Sequence, residues 1–168
     1  VTISSTEVTT STTEVPVLDY LRAQLAGTAT DGLTCQFRYP TAISRTLGIR
    51  LVEIDAGRAT VEIDTDPDRH GNQQGTVHGG LLTELADAAI GTAHSTIVGP
   101  GESFTSIDLR AVFLRPVWRD TLRASAYPTH SGRTITHYQC DITRADGKPV
   151  ATVTSIVTTL RGDRSNGR

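Results

Sequence analysis

A two-layer α+β domain, with one long helix packed on an antiparallel sheet of about six strands, is the fold class this sequence predicts. Three observations carry that expectation. Only one stretch keeps an apolar stripe at helical period over several turns, and the stripe, Leu82, Ala86, Ala89, Ile90, Ala93 and Ile97, is largely alanine. Two alternating runs precede it, and four β-branched runs follow it. The chain has 168 residues, 37% of them apolar and 20% charged. That suits one folded domain whose core needs no metal or disulfide framework.

Each element has its own local reason. Residues 1–15, rich in Ser and Thr and without apolar periodicity, are expected to be disordered. Pro16 opens a short amphipathic helix with Leu18, Leu21 and Leu25 on one face, closed by Gly27. A second helical turn is expected over Pro40–Leu47, stopped by Gly48, so residues 16–48 form a helical extension. Ile49–Asp55 and Arg58–Asp64 alternate apolar with polar and read as a hairpin turning at Ala56-Gly57. Asp66 to Gly75 is loop chemistry, and the long helix runs from Gly79 to about Ile97. The strands Phe104–Leu114, Thr121–His130, Thr134–Thr143 and Val150–Leu160 complete a domain over 49–161. A loose polar tail, 162–168, follows.

Composition excludes several function classes. Net charge is −2, from 16 basic and 18 acidic residues. All the basic residues but Lys148 are arginines, and they are scattered, which lacks the footprint of a nucleic-acid binder. No run approaches the roughly 18 apolar residues of a membrane span. The N-terminus lacks the basic flank and apolar stretch of a secretory signal, so a cytoplasmic protein without membrane partners is expected. Cys35 and Cys140 lie far apart outside any C-x-x-C pair, which favours free thiols. No P-loop, dinucleotide fingerprint or G-x-S-x-G elbow occurs, and no cofactor is expected. Asp66, Asp68 and His70 match no metal-ligand spacing, so a solvated loop is the simpler reading.

One constellation remains. Gly75-Thr-Val-His78-Gly79-Gly80 stands where loop becomes helix. The first helical amides lack internal partners and face outward at the positive end of the macrodipole, where they suit a phosphate, a carboxylate or a developing oxyanion. Glycines there let a ligand approach the backbone, although a tight turn needs them as well. Asp87, eight residues past Gly79, projects about 100° from the centre of the apolar stripe, at the margin of the buried face. A carboxylate so placed needs partners, and it serves either as a catalytic group or as an acceptor for N–H groups. Glu84 points well away from the stripe and reads as an ordinary solvated acid. Asn72 fits a turn residue or a water holder, and His78 a loop hydrogen bond or a group assisting a carbonyl.

From Asn72 through Ala93, with Gly75, His78-Gly79-Gly80, Leu85-Ala86-Asp87 and Gly91, the sequence resembles hotdog-fold acyl-CoA thioesterases of the phenylacetate-pathway and 4-hydroxybenzoyl-CoA type. The resemblance runs from about Thr46 to Arg161, through Ser106-Ile-Asp-Leu109, Phe113-Leu-Arg-Pro116 and Gly132-Arg-Thr134. It implies the hotdog fold, a sheet wrapped around one central helix. It implies hydrolysis of an acyl-CoA thioester in which the Gly79 amide polarises the carbonyl and Asp87 acts as nucleophile or general base. Asn72 matches a position that holds the water and His78 one that shapes the loop. Ser106 matches an assisting hydroxyl, with Thr105 as its neighbour on the opposite strand face. Gly80, Arg133 and Thr134 match positions that meet coenzyme A. No metal is required, because a thioester is already activated.

The resemblance further implies a homo-oligomer, a dimer at least and a tetramer by expectation, with sites shared between subunits. Two other readings belong to other classes: a hotdog module that holds acyl-CoA without cleaving it, and a hotdog enoyl-CoA hydratase. The second leaves Asp87 idle. The acyl group is legible only as far as aryl, aryl-acetyl or medium-chain.

Overall fold

The computed structural model describes residues 12–166; residues 1–11, most of the segment expected to be disordered, and the last two residues lie outside it. Thr13–Glu14 is a correction to that expectation. It forms β1, which pairs in parallel with β2 (Leu33–Thr34), and the Thr13 and Val15 amides donate to Gly32 and Thr34 carbonyls at 2.7 and 2.8 Å. Satisfied backbone groups hold a segment whose side chains alone would not order it.

Helix α1 (Val17–Leu25) starts after Pro16, and it buries Val17 and Leu21 where Leu18, Leu21 and Leu25 were the expected face. Leu25 stays 39% exposed. Helix α2 (Ala42–Leu47) has Thr41 as its N-cap, accepting from the Ser44 amide at 3.2 Å, and Gly48 closes it at φ +78°, a left-handed turn that suits glycine. The loop expected over 66–75 contains one helical turn, α3 (Pro67–His70). Asp66 accepts from the Asp68 amide at 3.0 Å and Pro67 occupies the first position, an N-cap signal embedded in turn-forming residues.

The body is a six-stranded antiparallel sheet built from β3 (Arg50–Asp55), β4 (Arg58–Asp64), β5 (Ser103–Phe113), β6 (Thr121–Ser131), β7 (Ile135–Arg144) and β8 (Pro149–Leu160). Their spatial order is β3-β4-β6-β7-β8-β5, which leaves β3 and β5 as the edges. Helix α4 (Gly79–Ser95) lies across one face and buries Leu82, Leu85, Ala86, Ala89, Ile90 and Ala93. Small alanines let helix and sheet close to interior packing density. The helix stops at Ser95, so Ile97, expected to end the stripe, falls beyond the helix and is 41% exposed. Inward from the sheet come Val61, Ile63, Leu122, Ala124, Tyr138, Ile142 and Val153. This is the hotdog arrangement: one helix in the concave face of an antiparallel sheet.

Candidate active site at the α4 N-terminus and along its outer face

Two interactions set the start of α4. The His78 backbone amide donates to the His70 carbonyl at 2.8 Å, tying α3 to the helix entrance. The His78 side chain is the N-cap: its Nδ1 accepts from the Gly80 amide at 2.8 Å. That settles which amide remains available. Gly80, expected to meet coenzyme A, has spent its N–H on His78, and the Gly79 amide has no protein acceptor among the described residues. It faces outward at the positive end of a 17-residue helix.

The ring of Phe113, at the end of β5, rests on Gly79: a Cβ there would sit 2.9 Å from the ring's Cζ. Beside them runs a groove with a cavity volume of about 410 Å³, lined by Asn72, Gly79, Leu82, Phe113, Arg115 and Val117 among others. Asn72 borders this groove while organising its own loop. Its Oδ1 accepts from the Gln74 and Thr76 amides at 2.9 and 3.2 Å, and its Nδ2 donates to Thr76 Oγ1 at 3.0 Å. One of the two amide hydrogens of Asn72 therefore stays available to a water.

Asp87 is half-buried on the outward side of α4. Ser106, on β5, donates from Oγ to Asp87 Oδ1 at 3.2 Å, whereas Thr105 turns to the Ser106 carbonyl at 3.4 Å. Of the two neighbouring hydroxyls it is Ser106 that meets the carboxylate. Glu84 corrects the expectation of a solvated acid. It is half-buried, one turn before Asp87, and burial first and the Asp87 charge second push its carboxyl above the usual glutamate range. Its spacing from Asp87, three residues, was the available signal.

Two distances limit what one chain does alone. Eight residues of α-helix separate Gly79 from Asp87 by about 12 Å along the axis, more than one carbonyl group spans. Arg133 and Thr134 lie at the other end of the molecule, in the exposed β6–β7 turn. There the Thr159 amide donates to the Thr134 carbonyl at 2.8 Å. The charge of Arg133 helps hold Glu102 below the usual carboxylate range, after the Gly99 amide and alongside Arg161. The structure thus brings Gly79 to Asn72 and His78, and Asp87 to Ser106, but leaves the two groups and Arg133 apart.

The paper cluster Asp66, Asp68 and His70 is spent structurally. Asp66 pairs with Arg119 at 2.7 Å, and His70 is buried with its Nδ1 accepting the Asp66 amide at 3.1 Å. Among the described residues no group of three side chains is placed to hold a metal ion. Cys35 and Cys140 are free thiols, and no helix is long and apolar enough to cross a membrane among the described residues.

Similarity to known proteins agrees with this geometry. The sequence pattern of the thioesterase superfamily matches residues 74–151. A presumed esterase of Haemophilus influenzae is 34% identical over 100 residues, which cover 58% of this chain and 72% of that protein. The 1,4-dihydroxy-2-naphthoyl-CoA hydrolase of Listeria monocytogenes is 28% identical over 103 residues, covering 60% and 81% respectively. Among solved structures, the PaaI protein of the E. coli phenylacetic acid degradation operon superposes with a TM-score of 0.67 at 30% identity, over 73% of this chain and 87% of that one.

Proposed function

Because this chain belongs to the thioesterase superfamily and is a thioester hydrolase, we propose that it cleaves acyl-CoA thioesters at sites shared between two copies, with Asp87 of one copy and Gly79 of the other acting on one carbonyl. The observation that carries this reading is the axial gap of about 12 Å between those residues within a chain. A site made by one chain would leave one of them idle.

The edge strand β5 supplies the means of assembly. It presents an 11-residue edge, with Ile107, Val112 and Phe113 59%, 50% and 54% exposed. Such an edge is a template for another strand. Antiparallel pairing of β5 with itself about a two-fold axis closes the edge on both copies. The axis reverses the second copy, so the Phe113–Gly79 end of one chain approaches the Ser106–Asp87 region of the other. Arg133, at the far end of its own chain, then approaches the Gly79 end of its neighbour, where coenzyme A enters.

In this site Asp87 works as the general base. Ser106 occupies Oδ1, leaving Oδ2 to take a proton from a water that the free Asn72 amide hydrogen helps hold. The water oxygen forms a bond to the thioester carbon, and the negative charge that develops on the carbonyl oxygen is met by the Gly79 amide. The C–S bond then breaks, and Asp87 returns the proton to the departing coenzyme A sulfur. One such amide contributes about 10²–10³ in rate and one positioned base about 10²–10⁴.

Release of free thiol from a panel of acyl-CoAs, comparing wild type with Asp87→Ala, tests the proposal. Turnover by wild type falling at least a hundredfold in the folded variant is the expected result. Tight binding of acyl-CoA without turnover would instead mark a non-catalytic module. Undiminished turnover by Asp87→Ala would remove Asp87 from the mechanism, and activity from a strict monomer would remove the shared site.

A further inference from the structure

A second cavity lies on the same helix, under the N-terminal extension. Its volume is about 360 Å³, and Leu21 and Leu25 of α1, Tyr39, Leu51 of β3, and Ala88 and Thr92 of α4 contribute to its wall. A cavity of about 150 Å³ admits one benzene-sized ligand, so this one exceeds a single ring. We propose that it receives the apolar acyl group of the thioester substrate, so that the extension outside the matched residues 74–151 selects acyl groups bulkier than one six-membered ring. The inference rests on the proposed reaction at Asp87.

Three features support it. First, the cavity begins at the residue that follows the base. Ala88 is one peptide unit from Asp87, about 3.8 Å between Cα atoms, and turned by about 100° around the helix. On the outward arc between them, within about one turn of Asp87, lie Glu84 and Gly91. A Cβ on Gly91 would meet Phe104 at 3.9 Å, an ordinary contact distance, so Phe104 borders that stretch and Gly91 itself puts no side chain over it. An acyl chain leaving a carbonyl beside Asp87 would cross that glycine, past Phe104, to reach the cavity.

Second, helix α4 offers this cavity only small side chains, Ala88 and Thr92, so nothing from the helix fills it. Third, its roof is preformed. Tyr39, on its wall, donates from Oη to Ser95 Oγ at 2.7 Å, and outside the cavity the extension is held to the body by Phe37 edge-on to Phe104, ring centroids 5.5 Å apart, and by Arg22 paired with Asp55 at 2.7 Å. Leu21 is fully buried at its inner wall. Such a roof gives up little conformational freedom when a ligand enters.

The full-length protein is titrated calorimetrically with two non-hydrolysable thioethers, S-ethyl-CoA and S-octyl-CoA, as wild type, Leu25→Trp and Ala88→Leu. Burial of a methylene is worth about fourfold in affinity, so three buried methylenes make the octyl compound bind about sixtyfold more tightly to wild type. Both variants are expected to cut that preference below tenfold while ethyl affinity stays within twofold, which also reports that they are folded. An unchanged preference in both variants, or none in wild type, overturns the assignment. Hydrolysis of acetyl-CoA and octanoyl-CoA by the same proteins separates this inference from the one beneath it. A wild type that prefers the octyl thioether, by a margin both variants lose, but hydrolyses neither ester keeps the pocket and refutes the reaction. A wild type that hydrolyses both esters without length preference refutes the pocket and keeps the reaction.

Discussion

Acidification provides a direct test of the core, through His94. This residue ends the buried stripe of α4 at 1% exposure, between Phe104 and Tyr138, with ring centroids at 5.1 and 5.7 Å. Its Nε2 lies 3.1 Å from Thr159 Oγ1, and its Nδ1 has no partner among the described residues. Burial of an imidazole with one hydrogen bond disfavours the cation and pushes its pKa down to about 4, while the nearby Glu102 charge pulls weakly the other way. The unfolded chain takes up the proton near its ordinary value of about 6.5. Between those two values the unfolded state binds more protons, so stability falls as pH falls.

At 1.36 kcal/mol per pH unit the loss between pH 7 and pH 4.5 is about 2.5 kcal/mol. For a chain of this size that lowers Tm by about 5–10 °C. His94→Gln keeps a hydrogen bond to Thr159 and cannot titrate. Carboxylates held low by partners, such as Asp64 and Asp146, lose their stabilising contribution only as pH falls through the carboxylate range, and do so in both proteins. Glu84, raised in the fold, opposes the trend equally in both. Thermal unfolding of wild type and His94→Gln at pH 7 and pH 4.5 therefore isolates the imidazole. Equal acid shifts in the two proteins would refute the reasoning.

Other outcomes follow from single contacts. Ser106→Ala removes a hydrogen bond to a carboxylate worth about 1.5–3 kcal/mol, and kcat should fall about tenfold or more with KM little changed; an unchanged kcat would take Ser106 out of the site. Gly71→Ala drives a Cβ into the Pro67 carbonyl oxygen, so α3 must shift. A cost of about 1–3 kcal/mol in chemical denaturation is expected. Activity should fall with it, since the His70 carbonyl holds the entrance of α4. Cys140 is fully buried and its thiol is pushed up to about 12 by burial and the Asp141 charge, so iodoacetamide should label only Cys35 in the native protein. Mass spectrometry with and without denaturant checks this.

Much of the fold was legible because its signals are local. The alanine stripe, the Ala56-Gly57 turn and the β-branched runs each act within a few residues, and those elements stand where the periodicity put them. Where local reading failed, a distant partner decided. Thr13–Glu14 is ordered by Leu33–Thr34, and the larger cause of the Glu84 shift is burial, whereas its three-residue spacing from Asp87 signalled only the smaller, coulombic one. The α3 turn is a different case, since its Asp-Pro cap was present but outweighed by the loop chemistry around it.

Sequence alone determined the helix, the glycine-rich entrance and the acid two turns on, because helical geometry converts residue spacing directly into position. Tertiary structure alone decided which groups meet. His78 consumes the Gly80 amide and leaves that of Gly79, Ser106 rather than Thr105 reaches Asp87, and α1 and Tyr39 enclose a cavity beside Ala88. Those outcomes depend on contacts between strands and helices far apart in the chain, where small rotations of packed elements choose one neighbour over another.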